Sequence, residues 1–200
     1  MIASPPHGPA APLPPRPAVF FDRDGTLVDD PGFLRDPSAV RLLPGVAAAV
    51  TRLNTAGLEV VIVTNQSGIA QGFITPEEYA AVERRVAERF EEMGARIDGT
   101  YHCPHHPSVD GPCECRKPGT LLHRRAAEER RLDLRASWAV GDRLSDLEPL
   151  RALGGRAILV RTGTGADHED RAAAEGYPVA DDLGAAVDQI LGRRSPPDSP

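Results

Sequence analysis

The sequence predicts an α/β fold: a Rossmann-like, doubly wound and mostly parallel sheet with helices on both faces. Three observations carry this expectation. Short β-rich runs alternate with Ala-, Arg- and Glu-rich stretches over residues 18–193, as repeated βαβ units require. The run 58–64, Leu-Glu-Val-Val-Ile-Val-Thr, is almost unbroken in apolar residues, which suits a strand covered on both faces. The polar motifs fall where such strands end, the side on which ligands sit in these sheets.

Each element has its own signal. Ala18-Val-Phe-Phe-Asp22 reads as a short buried strand that runs into an acidic loop. Residues 46–56 carry helical spacing through Val46, Val50 and Leu53, with Pro44 near the start and Gly57 as the stop. After the 58–64 strand, Thr75-Pro-Glu-Glu78 supplies an N-cap, a first-turn proline and a capping-box glutamate, opening a helix to about Met93. A basic helix is expected over about 120–131, with Arg124, Arg125, Arg130 and Arg131 on a solvated face. Residues 138–141 and 157–160 read as strands separated by a short helix, and a strand at 178–180 and a helix over 183–191 close the domain. Seven of the 20 prolines precede Ala18 and three follow Ser195. Residues 1–17 and 194–200 are therefore expected to be disordered tails around one domain over 18–193.

Composition narrows the function. Hydrophobic residues make up 40% and charged residues 26% of the 200, the balance of a soluble globular chain long enough to bury its own core. Lys and Arg number 23 against 29 Asp and Glu, a net charge of -6. No broad phosphate-tracking surface is expected, and an anionic ligand must be bound locally. Aromatics at 4% leave no extended platform for stacking nucleic-acid bases. No apolar run approaches the ~18 residues of a membrane span, and residues 1–17 lack the pattern of a secretory signal. The expectation is a cytoplasmic monomer acting on a small molecule, with no nucleic-acid or membrane partner.

Asp22-Arg-Asp24-Gly25-Thr26 leaves the first strand where Gly25 permits a tight bend, so two carboxylates can converge on one small site. Like charges this close need a cation between them or a shared proton. Oxygen-only ligands favour a hard ion, and Asp22, Asp24 and Asp142 are the expected Mg2+ set. Each aspartate alone could cap a turn or helix, but three at the strand ends of one sheet make a site. The stretch Val61-Ile-Val-Thr64-Asn65-Gln66-Ser67-Gly68 adds hydroxyl, amide and backbone donors that can cradle a phosphoryl group. Lys117, in Arg116-Lys-Pro-Gly119, offers the compact cation expected there.

Cys103-Pro-His105-His106 and Cys113-Glu-Cys115 crowd the three cysteines of the chain into a short loop, 102–116. Three thiolates and an imidazole form the closed shell of structural zinc, and a disulfide framework is not expected. His102, His105 and His106 are rivals for the fourth position. The loop leads directly into Arg116 and Lys117, so Zn2+ is expected to position those cations and to take no part in catalysis.

In combination these motifs resemble the haloacid dehalogenase superfamily, over about 19–160. The resemblance implies phosphoryl transfer through an aspartyl-phosphate, with Asp22 as nucleophile and Asp24 as general acid and base. It places Thr64 and Lys117 on the phosphoryl oxygens, Asp142 on Mg2+, and Asp146 steadying that site. With the cysteine loop, the chain is similar to the D-glycero-D-manno-heptose 1,7-bisphosphate phosphatases and the related histidinol-phosphatases. The shared stretches are 22–26, Val63-Thr-Asn-Gln-Ser-Gly-Ile-Ala70, Cys103-Pro-His-His-Pro107 and Cys113-x-Cys-Arg-Lys-Pro118. This resemblance implies no large cap domain, favours His105 as the zinc ligand, and assigns Asp30, Thr64, Asn65, Gln66, Ser67, Arg116, Lys117 and Arg143 to the substrate. Arg143 stands where these enzymes often have Lys, Pro31 where many have His, and the zinc loop is short. The implied activity is removal of the C7 phosphate of a heptose bisphosphate; the alternatives are histidinol phosphate as substrate, or a non-catalytic zinc-stabilised binder of phosphorylated ligands.

Overall fold

The computed structural model describes residues 14–192, in which six strands form one sheet: β1 (Ala18–Phe21), β2 (Glu59–Asn65), β3 (Gly99–Cys103), β4 (Trp138–Gly141), β5 (Arg156–Val160) and β6 (Val179–Ala180). The order is β3-β2-β1-β4-β5-β6, and every neighbouring pair is parallel. The chain winds outward from β1 to β3 and then returns to the other side of β1. The junction of β1 with β4 is thus the point where the winding reverses, and crevices form beyond the carboxyl ends of strands at such a point.

The connections are α1 (Val46–Thr55), α2 (Pro76–Glu92), the one-turn α3 (Pro107–Asp110), α4 (Leu121–Arg130), α5 (Leu144–Ala152), α6 (Gly165–Ala174) and α7 (Leu183–Ile190). Successive strand residues point to opposite faces, so the core is split in two by the sheet. Val19, Phe21, Val60 and Ile62 pack with Leu53 of α1, Phe90 of α2 and Val187 of α7. Ala18, Phe20, Val61 and Val63 pack on the other face with Leu122 of α4, Leu147 and Leu150 of α5, and with Cys103 and Cys115. Each buried Leu or Phe contributes roughly 1.5–3 kcal/mol. No second domain is inserted among the described residues.

The expected capping box is present: Glu78 N–H donates to Thr75 Oγ1 (3.1 Å) and Thr75 N–H to Glu78 Oε2 (2.8 Å). Three elements, β3, the one-turn α3 and α6, had no sequence expectation. β3 is the sheet edge, Gly-Thr-Tyr-His-Cys, with only Cys103 fully buried; its pairing with β2 supplies what its composition lacks. α6 buries only Gly165 and Ala172 and so has no apolar stripe to read. The domain also begins earlier than residue 18. Arg16 N–H donates to Arg131 O (3.0 Å), its carbonyl accepts from Asp133 N–H (2.9 Å), and its guanidinium pairs with buried Glu59. The remainder of the expected tails, 1–13 and 194–200, lies outside the described residues, in which no helix is long and apolar enough to cross a membrane.

Candidate active site

Asp22 follows β1 directly, its N–H still paired with Val140 O of β4 (3.1 Å). Asp142 follows β4 in the same way, and Asp146 sits in the first turn of α5, where Arg143 N–H donates to its Oδ2 (3.0 Å) as a helix cap. Carboxylate oxygens of Asp22, Asp142 and Asp146 all lie within 4.8 Å of one another. Into this group reaches the ammonium of Lys117, only 4% exposed. It donates to Asp22 Oδ1 (2.6 Å), Asp146 Oδ1 (2.8 Å) and Val63 O (2.6 Å).

The convergence depends on two glycines. A Cβ on Gly25 would stand 2.7 Å from Asp142 Oδ2, and one on Gly163 would stand 2.4 Å from the same atom. Both have positive φ, 82° and 58°, so side chains there are excluded by space and by backbone conformation.

Charge is out of balance in this cluster. Three buried carboxylates face one ammonium, an excess of two negative charges when all are ionised. Burial raises Asp22 to about 8, helped by Asp146 and Asp24 and opposed by Lys117. Asp142 is raised by burial against the two hydrogen bonds from Thr164. Burial also opposes the charge on Lys117, but Asp146 and Asp22 outweigh it and hold the ammonium above the ordinary lysine value. Carboxylates raised in this way are short of positive charge. Asp142 Oδ2 accepts from Thr164 N–H (2.8 Å) and Oγ1 (3.0 Å), whereas its buried Oδ1 has no hydrogen-bond partner among the described residues. An oxygen-only donor set, an excess of two charges and an orphaned oxygen fit a hard divalent ion.

Of the expected Mg2+ set of Asp22, Asp24 and Asp142, the structure brings the carboxylates of Asp22 and Asp142 together. Asp24 is turned away from the cluster: Oδ1 accepts from Arg23 Nε (2.8 Å), and Oδ2 from Arg23 Nη2 (2.8 Å) and Gln66 Nε2 (2.7 Å). Arg23 is buried beside it, and this bidentate pair decides the orientation. Asp146 takes the third place in the group.

A cavity of about 380 Å³ opens over these groups, and Asp30, Thr64, Asn65, Gln66, Ser67, Arg116, Lys117 and Arg143 all line it. They do not line it equally. Gln66 spends both amide hydrogens on Asp24 and Thr64 Oγ1 (2.9 Å), linking the two. Asp30 uses Oδ1 to hold its own turn through Gly32 N–H (2.9 Å). Phe33, stacked on Phe73 with ring centroids 4.6 Å apart, adds an aromatic wall that sequence reasoning missed. It missed Thr164 too, although Thr-Gly-Thr-Gly at the end of an expected strand was a usable signal.

The cysteine loop lies against this floor. Cys115 Sγ is 3.0 Å from Cys103 Sγ, 3.5 Å from Cys113 Sγ and 3.1 Å from His105 Nδ1. Cys103 Sγ is 3.7 Å from Cys113 Sγ and 3.6 Å from His105 Nδ1, and the cysteines are free. Three thiols and one imidazole nitrogen gathered within 4.8 Å of one another could hold a metal ion, and this donor set is that of structural zinc. The rivals are placed elsewhere: His102 packs on the Tyr79 ring, and His106 Nδ1 accepts from Ser108 at the start of α3.

Residues 114–186 match the HAD-hydrolase-like family. A D-glycero-beta-D-manno-heptose-1,7-bisphosphate 7-phosphatase of Yersinia pestis is 39% identical over 167 residues, 80% of this chain and 88% of that protein. This chain belongs to the heptose bisphosphate phosphatase family of haloacid dehalogenase-like hydrolases. A second member, from Pseudomonas aeruginosa, is 34% identical over 88% of this chain and 98% of its own. The crystal structure of the D,D-heptose 1,7-bisphosphate phosphatase from B. bronchiseptica, complexed with magnesium and phosphate, superposes with a TM-score of 0.80 at 35% identity, covering 88% of this chain and 98% of that one. Membership of this phosphatase family makes the protein a phosphoric monoester hydrolase, and the non-catalytic alternative falls.

Proposed function

We propose that this phosphatase removes the C7 phosphate of a D-glycero-D-manno-heptose 1,7-bisphosphate, with Asp22 as nucleophile. The observation that carries the reading is the buried Lys117–Asp22 pair inside a carboxylate cluster, at the floor of a cavity sized for a small sugar phosphate. Asp22 attacks phosphorus as the bond to the sugar oxygen breaks, and Asp24 supplies the proton that the departing oxygen takes. Water then attacks the aspartyl-phosphate, gives its proton to Asp24 and releases inorganic phosphate. Arg23 and Gln66 occupy one acceptor site on Asp24 Oδ1 and two on Oδ2, which leaves a lone pair of Oδ1 for the proton.

Thr64, whose hydroxyl accepts from Gln66, and Lys117 hold the phosphoryl oxygens. Arg116 and Arg143, on the cavity wall, meet the sugar or its second phosphate. Mg2+ would be held by Asp22 and Asp142 beside Asp146, supplying the charge that keeps Asp22 ionised and offsets the phosphoryl oxygens. Zn2+ would be held by Cys103, His105, Cys113 and Cys115, ordering the segment that carries Arg116 and Lys117. The protein acts as a cytoplasmic monomer on a small metabolite.

Phosphate release from heptose bisphosphate and from histidinol phosphate, measured in Mg2+, tests the reading. The bisphosphate is expected to be the better substrate, and Asp22→Asn to lower its turnover by more than about 10³-fold. Normal turnover in Asp22→Asn removes the nucleophile, and preference for histidinol phosphate removes the substrate.

A further inference from the structure

Asn65 was expected to touch the substrate, and it does line the cavity. Its amide is engaged elsewhere. Lys117 N–H donates to Asn65 Oδ1 (2.9 Å), and Asn65 Nδ2 donates to Lys117 O (3.2 Å). The amide orientation follows from its partners, since a backbone N–H can only donate and a carbonyl can only accept. A side chain on β2 thus clamps both main-chain polar groups of a residue 52 positions away.

The other end of the lysine is tied to the same strand. Its ammonium donates to Val63 O (2.6 Å), two residues before Asn65. Residues two apart on a strand share a face, and the face of Val63 is the one that packs with Cys103 and Cys115. Asn65 also pairs in register with Cys103. The end of β2 therefore grips Lys117 at backbone and ammonium together, at the point where the cysteine loop delivers it. A lysine side chain is a flexible stem, and one fixed at both ends holds its charge against Asp22 without searching rotamers.

We infer that Asn65 is a positioning residue for Lys117, acting on the phosphoryl-transfer step and not on recognition of the sugar; the inference rests on the catalytic reading given above. The test compares Asn65→Ala and Lys117→Ala with the unmodified enzyme, on heptose bisphosphate and on p-nitrophenyl phosphate, which has no sugar. Zinc content and thermal melting are measured alongside.

Misplacing a catalytic charge by an ångström costs about 10²-fold. Asn65→Ala is expected to lower kcat by that order on both substrates alike, with KM for the bisphosphate changed less than twofold and zinc retained. Lys117→Ala is expected to show the same pattern, more deeply. A raised KM for the bisphosphate with normal p-nitrophenyl phosphate turnover would make Asn65 a sugar contact and overturn the inference. If Asn65→Ala does not fold, Asn65→Ser takes its place; loss of zinc or of folding in both makes the residue structural and overturns the inference as well. Normal turnover in Lys117→Ala defeats the catalytic reading itself, whereas a dead Lys117→Ala beside a normal Asn65→Ala defeats only the role of Asn65.

Discussion

Thr164 shows how one residue prepares another. Its N–H and hydroxyl both serve Asp142 Oδ2, leaving Oδ1 as the oxygen without a partner. Thr164→Val keeps the backbone bond and loses the hydroxyl, a change of about 1 kcal/mol. Magnesium affinity, read by calorimetry without substrate, is expected to fall roughly fivefold, and Thr164→Ser to restore it; equal affinities in all three proteins would remove this role. Arg23 acts on Asp24 in the same manner, through two parallel hydrogen bonds. Lysine cannot reproduce that fork, so Arg23→Lys is expected to lower kcat about tenfold or more, and an unchanged kcat would show that the pair does not direct Asp24. The aspartates, Thr64 and Lys117 were legible in the sequence because each carries its chemistry in its own side chain. The pairing of Thr164 with Asp142, the bridging of Gln66 and the clamp of Asn65 were not. Their partners lie 22, 42 and 52 residues away, and only folding brings them together.

At the scale of elements, the cysteine loop has two anchors in the core. Cys103 and Cys115 are both buried and belong to the cluster formed with α4 and α5. Loss of a metal held there would thus disturb packing as well as the loop, since metal binding in such sites is folding free energy, on the order of 10 kcal/mol. Freshly purified protein is expected to hold about one zinc per chain. Cys115→Ser is expected to lose it and to melt at least about 6 °C lower, as a deficit of about 3 kcal/mol implies. A zinc-free wild type, or a serine variant with unchanged melting, would end the structural-zinc reading. The loop was readable because Cys and His are rare here and crowd one stretch. β3 and α6 were not, because neither carries a long enough apolar pattern: one is a half-exposed edge, the other a helix with a single buried alanine near its end.

Across the whole molecule, the floor of the site continues into the core. His123 of α4 is fully buried against Phe20 of β1, its Nδ1 without a partner among the described residues. Burial pushes its imidazole down to about 3, with the Lys117 charge adding to the effect. The unfolded chain binds that proton near pH 6.5 and the folded chain does not. The stability His123 lends is therefore present above about pH 6.5 and lost as pH falls towards 3. Between pH 7 and pH 5 the loss is about 2 kcal/mol. Urea unfolding of His123→Leu is expected to lose that much less over the same interval than the wild type; parallel losses would mean the histidine does not titrate this way. The α/β class, the strand-end placement of the acids and the metal-binding composition of the cysteine loop followed from the sequence alone, because hydrophobic period, cap residues and ligand chemistry act over a few neighbouring positions. Which acids stand close enough to share a cation, which histidine lies beside the thiols and which side chains hydrogen-bond one another were decided by the tertiary structure. Those choices depend on distances across the parallel sheet, and nothing in a linear order of residues measures them.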